Sequence, residues 1–332
     1  MRAHRSILTA LAAAVLLLTA ACGQPGSSGG AASTHAKSTL AACAPVPGDA
    51  LVVLGDDKNL QTVDNIVPAI NTAAIAGDST IVSLLDAVSA TLDTKTLIGL
   101  NKAVDVDRQT SSEVASQYLQ SHGLAAQDMV GAGAKVVVGA GNFSESATLA
   151  EIYAGVLRSA GYNATTQTIG NRETYIPALL SGALTIVPEY AGTLTEFLNK
   201  QANGANAPAL ASPNLAATMK ALTKLGKAAG LTFGAPAAAQ DQNAFAVTTA
   251  FAKKHGVKTL SDLAKTCGGL VLGGPPECPT RPFCEPGLTK TYGLDVSAFT
   301  SLDAGGPLTK TALLQGKIAV GLVFSSDAAL AG

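Results

Sequence analysis

From Lys135 onward the chain alternates between two hydrophobic periods. Short β-branched runs give way to longer stretches in which apolar positions recur at helical spacing. "KVVVGAGNFSESATLAEIYAGVLRSAGY" sets the pattern. It predicts a strand at residues 136–138, a Gly-Asn loop, and a helix to about residue 159, with Asn142 as N-cap and Glu145 three residues on. Gly161 stops that helix. "ATTQTI" then predicts a strand, residues 172–180 a helix, "LTIVPEY" a strand and "TLTEFLNK" a helix. Further on come the strand "NAFAVTT", a helix at 250–255, "KTLSDLAK", the strand "LVLGG", the segment "FTSLD", a Pro-started helix "PLTKTALLQG" and the strand "KIAVGLVF". Such alternation predicts an α/β fold with mainly parallel sheets.

The first residues follow another pattern. Arg2 and Arg5 precede "ILTALAAAVLLLTAA", an apolar run too short and too N-terminal for an ordinary membrane span. It ends in "LTAACG", which resembles a bacterial lipobox, with Thr19 where that pattern prefers Leu. Residues 1–22 are therefore expected to be a lipoprotein signal with Cys22 as the lipid anchor, which would tether the chain to the outer face of the cytoplasmic membrane. The alternative is a plain secretory signal with a stray cysteine. Residues 23–42, small and polar without periodicity, read as a flexible stalk.

Export changes the meaning of the cysteines. Beyond Cys22 there remain Cys43, Cys267, Cys278 and Cys284, an even number that predicts two disulfides. Of three pairings, Cys278–Cys284, closing "CPTRPFC", with Cys43–Cys267 is favoured. A metal site is disfavoured, because the spacing is not CxxC and no histidine is near these cysteines in sequence. Without Arg2 and Arg5 the chain carries 20 Lys+Arg against 23 Asp+Glu, a net charge of −3, and no basic patch recommends nucleic acid. The roughly 290 residues after the stalk suit one large domain or two lobes.

No catalytic set stands out. His35, His122 and His255 sit in no hydrolase motif, and GxSxG is absent. "GAGNFS" at Gly139 lacks the third glycine of a dinucleotide fingerprint. No cofactor is expected. What fits is a two-lobed receptor, with helix N-termini aimed at a cleft to supply N–H donors for a ligand carboxylate, and hinge closure to bury it.

Four stretches carry a family resemblance: "VVVGAGNFSESATLAEIYAGVL", "GNRETYIPALLSGALTIVPEYAGT", "NAFAVTTAFAKKHGVKTLSDLA" and "GLVFSSD". They resemble the osmoprotectant-binding proteins of ABC importers, receptors for glycine betaine, choline and carnitine with a type II periplasmic-binding-protein fold. The order differs from the family's. "ALVVLGDDKNLQTVDNIVPAIN" and the helices after it, which in the family follow the equivalent of "GLVFSSD", here occupy residues 50–123. The resemblance therefore implies a circularly permuted chain, a change tolerated when a fold's ends lie close together. It divides the body into lobe 1, residues 62–236, and lobe 2, residues 44–61 with 237–332. The alternative is a separate N-terminal domain of about 80 residues.

The family holds quaternary ammonium groups in a box of aromatic faces. The resemblance places Tyr190 in that box, Thr193 as a polar contact, Phe324 at a box position, and Asn142, Ser144 and Glu145 at the start of a cleft-facing helix. Where the family tends to have aromatics this chain has Asn243, following Asp241 and Gln242, and Glu285. Polar groups there suit a ligand with hydroxyls or amides. Arg172 and Arg281 are candidates to pair with a ligand carboxylate, against the more ordinary role of surface arginines. The expected function is capture of a small-molecule solute by a monomeric receptor that delivers it to an ABC permease with its cytoplasmic ATPase. A sensor without transport, or an exported enzyme on this fold, are the alternatives.

Overall fold

The computed structural model describes residues 40–327; Cys22, the expected signal and most of the expected stalk lie outside them. Ten strands fall into two sheets among these residues: β1 (Leu51–Leu54), β2 (Ile66–Asn71), β3 (Lys135–Ala140), β4 (Asn163–Thr168), β5 (Ile186–Tyr190), β6 (Leu231–Phe233), β7 (Asn243–Thr248), β8 (Leu270–Gly274), β9 (Val296–Ser301) and β10 (Val320–Phe324). The sheet of the first lobe has the order β4-β3-β5-β2-β6, that of the second β1-β7-β10-β8-β9. Parallel pairing is confined to β4-β3-β5 and β10-β8-β9; β2 and β7 run antiparallel to both neighbours, so the sheets are mixed rather than mainly parallel. The reason is connectivity. β2 and β7 each enter a sheet straight from a crossing between the lobes, without the returning helix that parallel pairing requires.

Helices cover both faces of the first sheet. On one side lie α1 (Ser79–Thr91), α2 (Thr94–Asp105), α3 (Ser111–Ser121) and α4 (Ser144–Ser159), whose Leu85, Leu97, Tyr118 and Leu149 share a core with Ile66 and Val138. On the other, α5 (Arg172–Leu180), α6 (Ala191–Asn203) and α7 (Leu215–Ala229) bring Ile176, Leu194 and Leu222 against Val67 and Val187. β2 is accordingly buried at all six positions, as a strand covered on both faces must be. Two prolines, Pro68 of β2 and Pro188 of β5, face each other in this ladder, so the missing donors fall on one rung. Thr110 and Glu113 close a capping box at the start of α3, an arrangement worth about 1 kcal/mol.

Residues 50–123 are thus not an independent unit. β1 pairs with β7 in the second lobe, β2 lies between β5 and β6 in the first, and α3 packs along α4. The chain crosses between the lobes at residues 55–65 and again at 234–242. The two crossings are hydrogen-bonded to each other. Asp241 N–H donates to Asp64 O at 3.1 Å, Ile66 N–H to Ala239 O at 3.1 Å, and Asn65 bridges to Gln240 in antiparallel fashion.

In the second lobe α8 (Thr249–His255) and α9 (Leu260–Thr266) pack against β7 and β8, and a one-turn α10 (Glu285–Gly287) leads to α11 (Pro307–Leu314). The Sγ atoms of Cys43 and Cys267 lie 2.03 Å apart and those of Cys278 and Cys284 2.00 Å apart. Two expectations change here. His255, far from Cys43 in sequence, sits beside it, Nδ1 to Sγ 3.4 Å, and with Cys267 forms a compact three-residue group. In that group the two sulfurs lie at disulfide distance from each other. The end of the expected stalk is also tied down: Ala42 bridges to Gly268, whose N–H donates to Ala41 O.

Candidate functional site

The site forms where the two sheets present their strand ends to each other. "IVPEYAGT" supplies its centre. β5 ends at Tyr190 and α6 begins at once, so this strand end and helix start share one point. Tyr190 provides no side-chain cap. Asp64, from the first crossing, takes that place: its Oδ1 accepts from Gly192 N–H at 2.8 Å and Thr193 N–H at 3.0 Å. The crossing runs so close that a Cβ on Gly192 would lie 2.3 Å from Val63 O, which explains the glycine in this motif.

Glu189 points to the other side of β5 and is fully buried. It accepts from Arg172 Nε and Nη2 at 2.8 Å each, from Tyr175 OH at 2.9 Å and from Tyr190 N–H at 2.9 Å. Arg172 also donates to Thr193 Oγ1 at 2.8 Å. Burial works against the charge of Arg172, and the adjoining Glu189 more than offsets it, so the guanidinium stays protonated. Arg172 is therefore neither a surface arginine nor a free partner for a ligand carboxylate. Removing one member of such a buried pair costs about 3–5 kcal/mol.

Glu145 departs from its expected role. α4 starts at Ser144 with Phe143 at the N-cap position and no side-chain cap, while Asn142 N–H donates to Gly170 O. Instead of closing a capping box, Glu145 is buried and accepts from Tyr190 OH at 2.6 Å, Asn101 Nδ2 at 2.6 Å and Ser326 Oγ at 2.7 Å. It thereby joins α2, α4, β5 and the end of the second lobe. Burial raises its carboxyl above the usual range, opposed by these donors. Tyr190 is held protonated by burial and by Glu145 and Asp241 nearby.

The cleft holds a cavity of about 60 Å³, room for a handful of waters. Tyr190, Thr193, Asn142, Arg172, Asn243 and Phe324 all line it. Phe143 stacks obliquely between Tyr190 (centroids 6.3 Å) and Phe324 (5.8 Å), joining aromatic faces from both lobes. Ser144 and Glu145 face an adjoining cavity beyond Phe143. Gln242 is turned away, its amide donating to Thr62 O at 2.6 Å, and Glu285 opens α10 outside the lining. Asn243 spans to Phe283 O at 3.0 Å. Arg281 closes the rim by pairing with Glu173 of the other lobe at 2.8 Å and Glu277 at 3.1 Å, and Asn171 donates to Glu277 at 3.2 Å.

Several lining residues carried no sequence signal: Asp64, Tyr175, Asn171 and Glu277. Phe143 lay in plain sight within "NFSE", and Asp241 beside Asn243. Asp64 and Asp241 are each 5% exposed and border the cleft. Burial lifts the Asp64 carboxyl to about 7, with Thr193 and Arg172 lowering it and Glu189 raising it. Asp241 is pushed well above the usual carboxylate range by burial and by Glu145.

No curated protein matches the chain. Among solved structures, one described as a glycine betaine/carnitine/choline ABC transporter is 24% identical, with 59% of this chain and 71% of that one covered and a TM-score of 0.39. OppA of Haemophilus influenzae in complex with the peptide RPPGFSPFR is 11% identical (56% and 44% covered, TM-score 0.28), and the periplasmic murein tripeptide binding protein MppA in its unliganded open form 13% (57% and 44%, TM-score 0.28). Overlaps this partial carry no argument about geometry or ligand. The family pattern described as the substrate binding domain of ABC-type glycine betaine transport systems matches residues 38–121 and 134–332, interrupted at 122–133 between α3 and β3. The chain belongs to that family of substrate-binding domains of ABC importers.

Proposed function

We propose that this protein is a lipid-anchored, extracytoplasmic receptor, held at the outer face of the cytoplasmic membrane through Cys22, that captures a small solute in the interlobe cleft and hands it to an ABC permease. The observation that carries the reading is the cleft itself: Phe143 and Tyr190 from one lobe and Phe324 from the other line a small cavity together with the buried Asp64 and Asp241. Aromatic faces attract organic cations, and a site lined from both lobes fits capture by lobe closure. Membership in a substrate-binding family supports a transport component rather than an enzyme.

A thermal-shift screen tests it, with glycine betaine, choline, carnitine and proline betaine beside amino acids, sugars and aromatic polyols, and calorimetry on any hit. At least one solute is expected to raise the melting temperature, since a ligand at about a hundred times its Kd adds about 2.7 kcal/mol. Tyr190→Ala should raise the Kd of that solute about tenfold or more. Unchanged affinity removes Tyr190, and the cleft with it, from the site. For the anchor, Cys22→Ser should move the protein out of the membrane fraction; a variant that stays there speaks against a lipid on Cys22.

The permuted order belongs to the same proposal. It is supported by the split of the family match around residues 122–133 and by the entry of β1 and β2 into separate sheets. A chain opened within 122–133 and joined from residue 332 to residue 47 should fold and bind as the natural order does. An unfolded product argues for the present order as an obligate arrangement.

A further inference from the structure

The charges lining the cleft do not balance. Both of its guanidinium groups are committed to protein carboxylates, Arg172 to Glu189 and Arg281 to Glu173 and Glu277. The N-terminus of α6, a natural receiver for a ligand carboxylate, is already taken by Asp64 Oδ1. Against this stand Asp64 and Asp241, side by side on the two crossings and nine-tenths buried or more. Among the described residues no hydrogen bond reaches Asp64 Oδ2. An anionic group entering here would meet two buried carboxyl groups and no uncommitted cation among the residues lining the cavity. A quaternary ammonium would offer these oxygens only methyl groups. An N–H-bearing cation satisfies both the charge and the acceptor, and charge-assisted hydrogen bonds of this kind are the strong ones. The cavity of about 60 Å³ suits a molecule of few heavy atoms.

We infer that the cleft selects a small protonated amine without a carboxylate group, its N–H groups donating to Asp64 and Asp241 while Phe143, Tyr190 and Phe324 cover its carbon face. This rests on the cleft being the solute site and narrows the class of solute that site accepts. The elevated titration of Asp64 and Asp241 agrees with it, because a cation between them would favour their ionised forms.

Calorimetric titration of the full chain with ethanolamine, its mono- and dimethyl derivatives, choline and glycine betaine tests the inference on a nearly constant skeleton. Affinity is expected to fall about tenfold or more at the last methylation, where the final N–H is lost, and to fall further for glycine betaine. Asp64→Asn keeps an oxygen for the α6 cap and should flatten the series by weakening the amines alone. Wild-type ethanolamine binding should tighten from pH 6 to pH 8, a readout independent of any variant. Choline or glycine betaine binding as tightly as the amines overturns the ligand class; if Phe324→Ala abolishes that binding, the cleft still stands as the site. Amine binding that neither Asp64→Asn nor Phe324→Ala alters overturns the site together with the inference. Silence of the whole series, with a different solute held by the cleft, overturns the amine preference alone.

Discussion

Asp64 caps α6 through Oδ1 and also lines the cleft, so the residue that fixes the helix start contributes a carboxyl group to the candidate site. Its titration makes a signed prediction. Its carboxyl stands at about 7 in the folded chain, against 3.8 for the ordinary group, so the folded state holds its proton over that window while the unfolded state has lost it. Stability from this group is therefore present at low pH and declines as pH rises through 7. Arg172, Glu189, Thr193, Gly192 and Asp241 face it, and Asp241 and Glu145, also raised, act in the same direction. The ligand-free protein should lose melting temperature between pH 5 and pH 8, and Asp64→Asn should reduce that slope; an unchanged slope would remove Asp64 as its source. Tyr190, Thr193, Asn142, Asn243 and Phe324, which line the cavity, were singled out through the family resemblance, whose motifs fall on strand ends and helix starts. Sequence reading could not reach Asp64, whose role exists only where a crossing meets a helix more than a hundred residues away.

Strands and helices were legible almost throughout. The strands "LVLGG" and "KIAVGLVF" and the helix at 172–180 fall where periodicity put them. What local pattern missed was direction and partner. Nothing in "IVPAIN" tells that β2 runs antiparallel to both neighbours, and nothing in "NFSE" tells that its glutamate bonds to Tyr190, Asn101 and Ser326 rather than to its own helix. The α6 start offers an element-scale test. A methyl on Gly192 would meet Val63 O at 2.3 Å and Thr62 Oγ1 at 2.7 Å, the first a backbone atom that cannot step aside. Gly192→Ala should displace the crossing from the helix and cost about 2–4 kcal/mol of stability in denaturant unfolding. A variant as stable as the parent would mean that the crossing is free to shift.

At the scale of the molecule, the two cysteine pairs differ in reach. Cys43 and Cys267 are 224 positions apart, Cys278 and Cys284 only 6. On the chain-entropy account, closing the long loop contributes up to about 5 kcal/mol and the short one about 2 kcal/mol. Reduction should therefore lower the melting temperature, and most of the loss should be reproduced by Cys43→Ser alone. Four titratable thiols in the native exported protein would show that the pairs do not form.

The paired crossings have one more consequence, which concerns rates. Points on an axle move least when the parts it joins swing apart. Asp64 and Asp241 lie on the two hydrogen-bonded crossings, whereas Arg281, Glu173 and Asn171 lie out on the rims. A solute arriving at the open molecule would then meet the carboxylates already in place, and the rim contacts would form only afterwards. On the proposed function, encounter and retention would fall to different residues. Association should slow with added salt and with Asp64→Asn, as long-range attraction is screened or removed. Arg281→Ala should leave the association rate nearly unchanged and shorten the residence time. Stopped-flow traces in which Arg281→Ala slows association instead would place the rim, not the axle, at first contact.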